Sequence, residues 1–183
     1  MFGGPAISGI DFPLGGGALV SYLNGLLIVH DSKFLNNRTE NGPGGAILNG
    51  FSSGVNIIGT GAVAFEASTQ VTNSTFFCNS ADQTSNVGLN ILGNGGAIAS
   101  LPGTFFNIPQ QNVGSLRVTV KDSEFKENFA GGNGGAIYLN TSTAQLKNNE
   151  FNNNVATLNG NNVFEVNSII NGDPTSFISG TKN

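Results

Sequence analysis

Apolar and polar positions alternate with period two over short stretches of this chain. Leu116-Arg117-Val118-Thr119-Val120 is apolar at every other place, and Val163-Phe164-Glu165-Val166 keeps the same rhythm in part. No window holds a helical period for three turns. A period of two marks a half-buried strand, because successive side chains leave the backbone on opposite sides. Gly or Asn closes each run, so the pattern predicts many brief strands joined by tight corners.

Two motifs recur along the chain and alternate strictly, four of each. One is Gly-Gly-Ala-aliphatic: Gly16-Gly17-Ala18-Leu19, Gly44-Gly45-Ala46-Ile47, Gly95-Gly96-Ala97-Ile98 and Gly134-Gly135-Ala136-Ile137. The other joins a polar pair to Phe-x-x-Asn: Asp31-Ser32 with Phe34 and Asn37, Asn73-Ser74 with Phe76 and Asn79, Asp122-Ser123 with Phe125 and Asn128, Asn148-Asn149 with Phe151 and Asn154. Ala18 to Phe34 is 16 residues and Ala136 to Phe151 is 15, against 30 from Ala46 to Phe76 and 28 from Ala97 to Phe125. The long forms differ from the short by one loop excursion or one extra coil, and Gly50–Ser53 and Pro102–Gln111 read as excursions. Gly3-Gly4-Pro5-Ala6-Ile7 reads as a weaker opening copy, and Asn161-Asn162-Val163-Phe164 as a fifth unit without its glycines.

A shortest period of ~26–28 residues is the order of one solenoid coil. In a coil of parallel strands, equivalent positions stack about 4.8 Å apart. Phe34, Phe76, Phe125 and Phe151 then form an interior aromatic column, and Asn37, Asn79, Asn128 and Asn154 an amide ladder. Asn is expected to take the left-handed corner itself while its amide bonds along the stack. Gly17, Gly45, Gly96 and Gly135, each with its preceding glycine, are expected to make a second sharp corner where Ala lets backbone approach the core. The chain is thus expected to be all-β, a parallel β-helix of about five to six coils forming one domain over residues 1–183.

Composition narrows the function classes. Charged residues make up 10% of the chain and the formal net charge is −4, too little basic charge to neutralise a run of phosphates, so no nucleic-acid partner is expected. Asn and Gly number 27 each, which disfavours helices, while 14 Phe disfavour disorder. The single Cys78 excludes a disulfide framework or cysteine zinc site and reads as a small packed residue. The start has no basic region before an apolar stretch, so a signal peptide is not expected there. Gly17 to Val29, interrupted by Asn24-Gly25, is too short to span a bilayer, so no direct membrane span is expected. Asn37, Asn73 and Asn140 stand in Asn-x-Ser/Thr sequons and are candidate N-glycosylation sites.

The paired Gly-Gly-Ala-Ile and Phe-x-x-Asn motifs resemble the repeats of the chlamydial polymorphic outer membrane proteins, over about Gly15 to Asn154. That resemblance implies a right-handed parallel β-helix, a cell-surface or extracellular location and a role in adhesion. The chain lacks the family's C-terminal translocator barrel, a signal peptide and most of a passenger's repeats, so it reads as a piece of a longer protein or a small relative. Fold likeness alone says little of function, since solenoids host many roles.

A search for chemistry finds scattered groups. The 11 acids are scattered, and the only arginines, Arg38 and Arg117, neighbour no acidic cluster in sequence of the kind that holds calcium in lyase chemistry. Stacking is expected to place Glu124 beside Glu150 and Asp31 at the same motif position as Asp122, facing solvent or capping turns. His30 is the only histidine, no Gly-x-Ser-x-Gly elbow occurs, and Gly15-Gly16-Gly17 and Gly131–Gly135 lack a phosphate-loop context. No catalytic, cofactor-binding or metal-ligating residue is assigned. The leading reading is a non-enzymatic structural or adhesive module whose flat faces and uncapped ends make protein contacts, with copies of itself end to end or with the rest of a longer chain. Phe177-Ile178-Ser179-Gly180-Thr181 is strand-like and is expected to meet such a partner. The alternative is a polysaccharide-binding or pectate-lyase-like polysaccharide-cleaving β-helix, for which Tyr22 and Tyr138 are the only tyrosines and tryptophan is absent. Ice binding needs a regular Thr array, and the threonines share no one repeat position.

Overall fold

The structure, a computed structural model, describes residues 15–21, 25–40, 42–50, 66–83, 93–102 and 115–172. These residues form 18 short strands and no helix. The first coil is β1 (Leu19–Ser21), β2 (Leu26–His30), β3 (Lys33–Leu35) and β4 (Arg38–Thr39). The second is β5 (Ile47–Gly50), β6 (Ala67–Thr72), β7 (Thr75–Phe77) and β8 (Ser80–Ala81). The third is β9 (Ile98–Leu101), β10 (Leu116–Lys121), β11 (Glu124–Lys126) and β12 (Phe129–Ala130). The fourth is β13 (Ile137–Asn140), β14 (Ser142–Lys147), β15 (Glu150–Asn152) and β16 (Val155–Ala156), and β17 (Val163–Val166) with β18 (Ile169–Gly172) opens a fifth.

Each strand pairs in parallel with its counterpart one coil away. Sheet A runs β1-β5-β9-β13-β17, sheet B β2-β6-β10-β14-β18, sheet C β3-β7-β11-β15 and sheet D β4-β8-β12-β16. The chain is therefore a parallel β-helix, with four full coils and the first half of a fifth among the described residues. Thr141 alone separates β13 from β14, whereas residues 51–66 separate β5 from β6 and 102–115 separate β9 from β10. The long repeats thus carry an insertion at one corner, not an extra coil. The excursion residues 51–53 and 103–111, the copy at residues 3–7, Tyr22 and the run 177–181 lie outside the described residues.

Registry places like residues over like. Phe34, Phe76, Phe125 and Phe151 are partners in sheet C, their ring centroids 4.7, 4.8 and 5.1 Å apart along the stack. Ile47, Ile98 and Ile137 of sheet A and Val29, Val71, Val120 and Leu146 of sheet B pack against them. Sheet D contributes only Ala81, Ala130 and Ala156 from its central and upper strands, all buried, so its backbone lies close to the interior. Each stacked aromatic pair is worth about 0.5–1.5 kcal/mol beyond the burial itself.

The corners divide their labour differently from the sequence expectation. The left-handed residue before the amide ladder is Asn36, Cys78, Glu127 or Asn153, with φ between 53° and 56°. The ladder residues Asn37, Asn79, Asn128 and Asn154 are not left-handed, because each must send its side chain inward once the preceding residue has turned the chain. The polar pair contributes another left-handed column at Asp31, Asn73, Asp122 and Asn148. The two glycines of a pair also have separate jobs. The first, as in Gly95 with φ +70°, takes the left-handed turn, and the second admits the backbone of the coil above. The fifth unit keeps one of its two glycines, since Gly160 with φ +66° fills the first position and Asn161 stands at the second.

Candidate functional site

The recurrent asparagines form a closed hydrogen-bond ladder inside the corner between sheets C and D. The Nδ2 of Asn37, Asn79 and Asn128 donates to the Oδ1 of the next coil's Asn at 2.8, 2.9 and 2.9 Å, and the backbone N–H of each donates to that same oxygen at 3.1, 3.1 and 3.0 Å. The second Nδ2 proton of Asn79, Asn128 and Asn154 reaches back to the carbonyls of Phe34, Phe76 and Phe125, each at 3.0 Å. Every amide in the middle of the ladder is thus saturated, which is what allows Asn79 and Asn128 to be fully buried.

A second ladder runs along the corner between sheets B and C. The backbone N–H groups of Ser32 and Ser74 donate to the following coil's hydroxyl, Ser74 Oγ and Ser123 Oγ, at 3.2 and 3.1 Å, and Ser123 N–H donates to Asn149 Oδ1 at 3.1 Å. Each hydroxyl donates in turn to the carbonyl two residues earlier. A third polar set, Thr69, Asn49, Ser100 and Ser142, is buried where sheet A meets sheet B. There Thr69 Oγ1 donates to Asn49 Oδ1 at 3.1 Å, Asn49 Nδ2 to Ser100 Oγ at 3.0 Å, and the hydroxyls of Ser100 and Ser142 lie 2.9 Å apart. Sequence reasoning missed this set because its members share no motif; only the register brings them together.

The outward side of the corner between sheets B and C carries the densest chemistry. Acid and amide alternate up the column Asp31, Asn73, Asp122, Asn148: Asn73 bonds Asp31, and Asn148 Nδ2 donates to Asp122 Oδ1 at 2.9 Å. The alternation keeps two carboxylates from facing each other across one coil spacing. An open recess of about 400 Å³ lies beside it, lined by Asn73, Ser74, Thr75, Asp122, Ser123, Glu124, Asn148 and Glu150. Glu124 and Glu150 are register partners on the outer face of sheet C. Among the described residues no three His, Cys, Asp or Glu side chains converge as metal ligands.

The other candidates lie apart. His30 Nδ1 is 2.6 Å from Asp31 Oδ2 with both side chains exposed, and Ser32 spends its hydroxyl on the His30 carbonyl at 2.8 Å rather than on the imidazole. Arg38 on sheet D pairs with Asp82 and, at 3.3 Å, with Glu40, while Arg117 stands on the outer face of sheet B. The carboxylate of Asp82 raises the Arg38 pKa above its ordinary value. Burial, then the Glu127 carboxylate whose Oε2 is 3.7 Å from Sγ, pushes the Cys78 thiol up. Burial does the same to the Tyr138 phenol, partly offset by its bond to Asn140.

Of the sequon residues, Asn73 is exposed at its corner, Asn37 is half-buried with its amide on Asn79, and Asn140 is half-buried with its Oδ1 accepting from Thr141 Oγ1 at 3.0 Å. On the outer face of sheet B the threonines fall in three different columns, at Thr72, Thr119 and Thr143, so no regular Thr array forms. Among the described residues no helix is long and apolar enough to cross a membrane.

The family model of the Chlamydia polymorphic membrane protein repeat matches residues 122–140. That stretch runs from the Asp122 corner through the Phe125 and Asn128 positions to the glycine corner and β13. No curated protein and no solved structure matches the chain.

Proposed function

We propose that this chain is a non-enzymatic structural or attachment element of a cell-surface or extracellular assembly. Its long outer faces, and an end of the stack, make protein contacts. The observation that carries the reading is the fate of the repeats: their Phe, Asn, Ser and Gly residues are consumed by stacking, bonding one coil to the next. What recurs in all four coils therefore builds a rod. The repeat match supports a surface location, because polymorphic membrane proteins are membrane-associated by description. The lateral edges and flat sheets of such a rod are suited to protein partners.

The test is attachment of the purified chain, immobilised on beads, to intact cells or to extracellular protein extracts. Saturable binding that survives E124Q is expected. The competing reading, polysaccharide binding or cleavage, draws on the recess in which Glu124 and Glu150 are neighbours. Release of products from a uronate polymer, lost in E124Q and in E150Q, would replace the attachment reading with that one.

A further inference from the structure

The fifth coil departs from the four below it at three register positions, and each departure closes its upper edge. At the second glycine of the corner motif the lower coils carry Gly17, Gly45, Gly96 and Gly135. A Cβ there would lie 2.2, 2.0, 2.1 and 2.2 Å from a carbonyl oxygen of the coil above, those of Gly45, Gly96, Gly135 and Asn161. The equivalent residue in the fifth coil is Asn161, since Gly135 N–H donates to Gly160 O and Ala136 N–H to Asn162 O. A sixth coil laid in the same register would drive its carbonyl into the Cβ of Asn161.

The side chains at this corner take over what a further coil would supply. Asn161 Oδ1 accepts the backbone N–H of Ala156 on β16 at 3.1 Å, a donor at the upper edge of sheet D. Asn162, where the lower coils have alanine, offers its Oδ1 to Asn154 Nδ2 at 3.2 Å and so finishes the amide ladder. Four residues on from Asn161, the column of Ser21, Asn49, Ser100 and Leu139 ends in Glu165. The first four are buried, whereas Glu165 is exposed and its carboxylate accepts the N–H of Ser168 at 3.1 Å. A charge set at an inward-facing position on an open strand is a strong deterrent to pairing with another strand.

We propose that the fifth coil is a terminator of the stack, built to refuse a further parallel coil from a second copy of this chain. Head-to-tail growth into an open-ended filament is then blocked, because a heterologous contact needs both ends. Any end contact then falls to the first coil. The inference goes beyond the attachment reading and stands or falls without it.

Sedimentation velocity of the full chain over a concentration series tests it. The wild type stays at or below a dimer at every concentration. The triple variant N161G/N162A/E165L, which restores the glycine, alanine and leucine of the fourth coil, keeps its circular dichroism spectrum and adds open-ended species, its weight-average mass rising at least threefold across the series. N161G alone, carrying the residue that four other coils tolerate, gives a smaller rise and decides the question if the triple variant does not fold. Open-ended growth of the wild type overturns the proposal, as does a folded variant whose mass follows the wild type throughout. The bead attachment assay is independent of these outcomes, so loss of one reading leaves the other measurable.

Discussion

The third and fifth coils share one register but answer to different surroundings. In the third, backbone from the coil above presses on Gly96, Phe125 is clamped between Phe76 and Phe151, and Asn128 is saturated from both sides. In the fifth, the same corner holds Asn161 and Asn162, and Glu165 replaces the buried Leu139. The lesson is that the repeat's small residues are not a local turn code. They are set by the neighbour overhead, and in the fifth coil, above which the described strands place no partner, larger residues stand at the same positions.

The largest contrast should come from exchanging the two corner residues. In Gly96→Ala the new Cβ would lie 2.1 Å from the Gly135 carbonyl oxygen and 2.6 Å from that of Phe129, both backbone atoms that cannot swing away. The coils would have to part there, so a loss above about 4 kcal/mol is expected, at the severe end for a single substitution. Asn161→Gly removes the side-chain bond to the Ala156 N–H and adds backbone entropy, so about 1–2 kcal/mol is expected. Urea unfolding of the two variants checks both, and similar losses would break the comparison.

Next in size is the aromatic column. Phe125 is fully buried, whereas Phe151 is half-buried at the upper end of sheet C among the described residues. Phe125→Ala should cost about 3–5 kcal/mol, through lost transfer free energy and a cavity that the rings above and below cannot fill without leaving their strands. Phe151→Ala should cost less than half as much. Equal costs, read from the same unfolding curves, would mean that the stack does not distinguish its middle from its end.

The amide ladder grades in the same direction and more gently. Asn128→Ala strands the backbone N–H and one Nδ2 proton of Asn79 in the interior, while Asn154 Oδ1 keeps the residue 128 N–H, and about 2–4 kcal/mol is expected. Asn37→Ala removes a single amide bond to Asn79, whose Oδ1 still accepts from the residue 37 backbone, so under about 1 kcal/mol is expected. Hydrogen exchange of the Asn79 amide, accelerated in the first variant and nearly unchanged in the second, would locate the difference.

Much of this was legible before any coordinates. The recurrence of Phe34, Phe76, Phe125 and Phe151 at matched motif positions implies that they stack, and the parallel β-helix follows from that. The uneven spacing left one extra coil or one loop as alternatives, and only the strand bounds decide for a loop between sheets A and B. The identity of the left-handed residue was misread because Asn favours that conformation intrinsically. In the structure Cys78 and Glu127 adopt it, at roughly 1–2 kcal/mol each, under pressure from the ladder residue that follows. The Thr69, Asn49, Ser100 and Ser142 network and the replacement at Glu165 carry no motif, whereas Asn161-Asn162 already stood out as a unit lacking glycines. The network and Glu165 become visible only once register states which residue lies above which.

The smallest effect sits on that left-handed column, where asparagine stands at both ends, Asn36 and Asn153, and Cys78 and Glu127 fill the middle coils. Desolvation is the main cause of the raised Cys78 pKa, the Glu127 carboxylate adds to it, and Lys126 opposes. Desolvation survives any change of the neighbours, so Cys78 should alkylate more slowly than a free cysteine in mildly alkaline buffer in every variant. Glu127→Gln removes the negative charge, lowers the thiol pKa partway and should speed iodoacetamide modification modestly. Lys126→Gln removes the counteracting cation and should slow it. Opposite signs from adjacent substitutions would separate charge from mere loosening of the corner, because loosening would expose the thiol and accelerate both. A rise in both variants would therefore show that the corner at Cys78 had loosened.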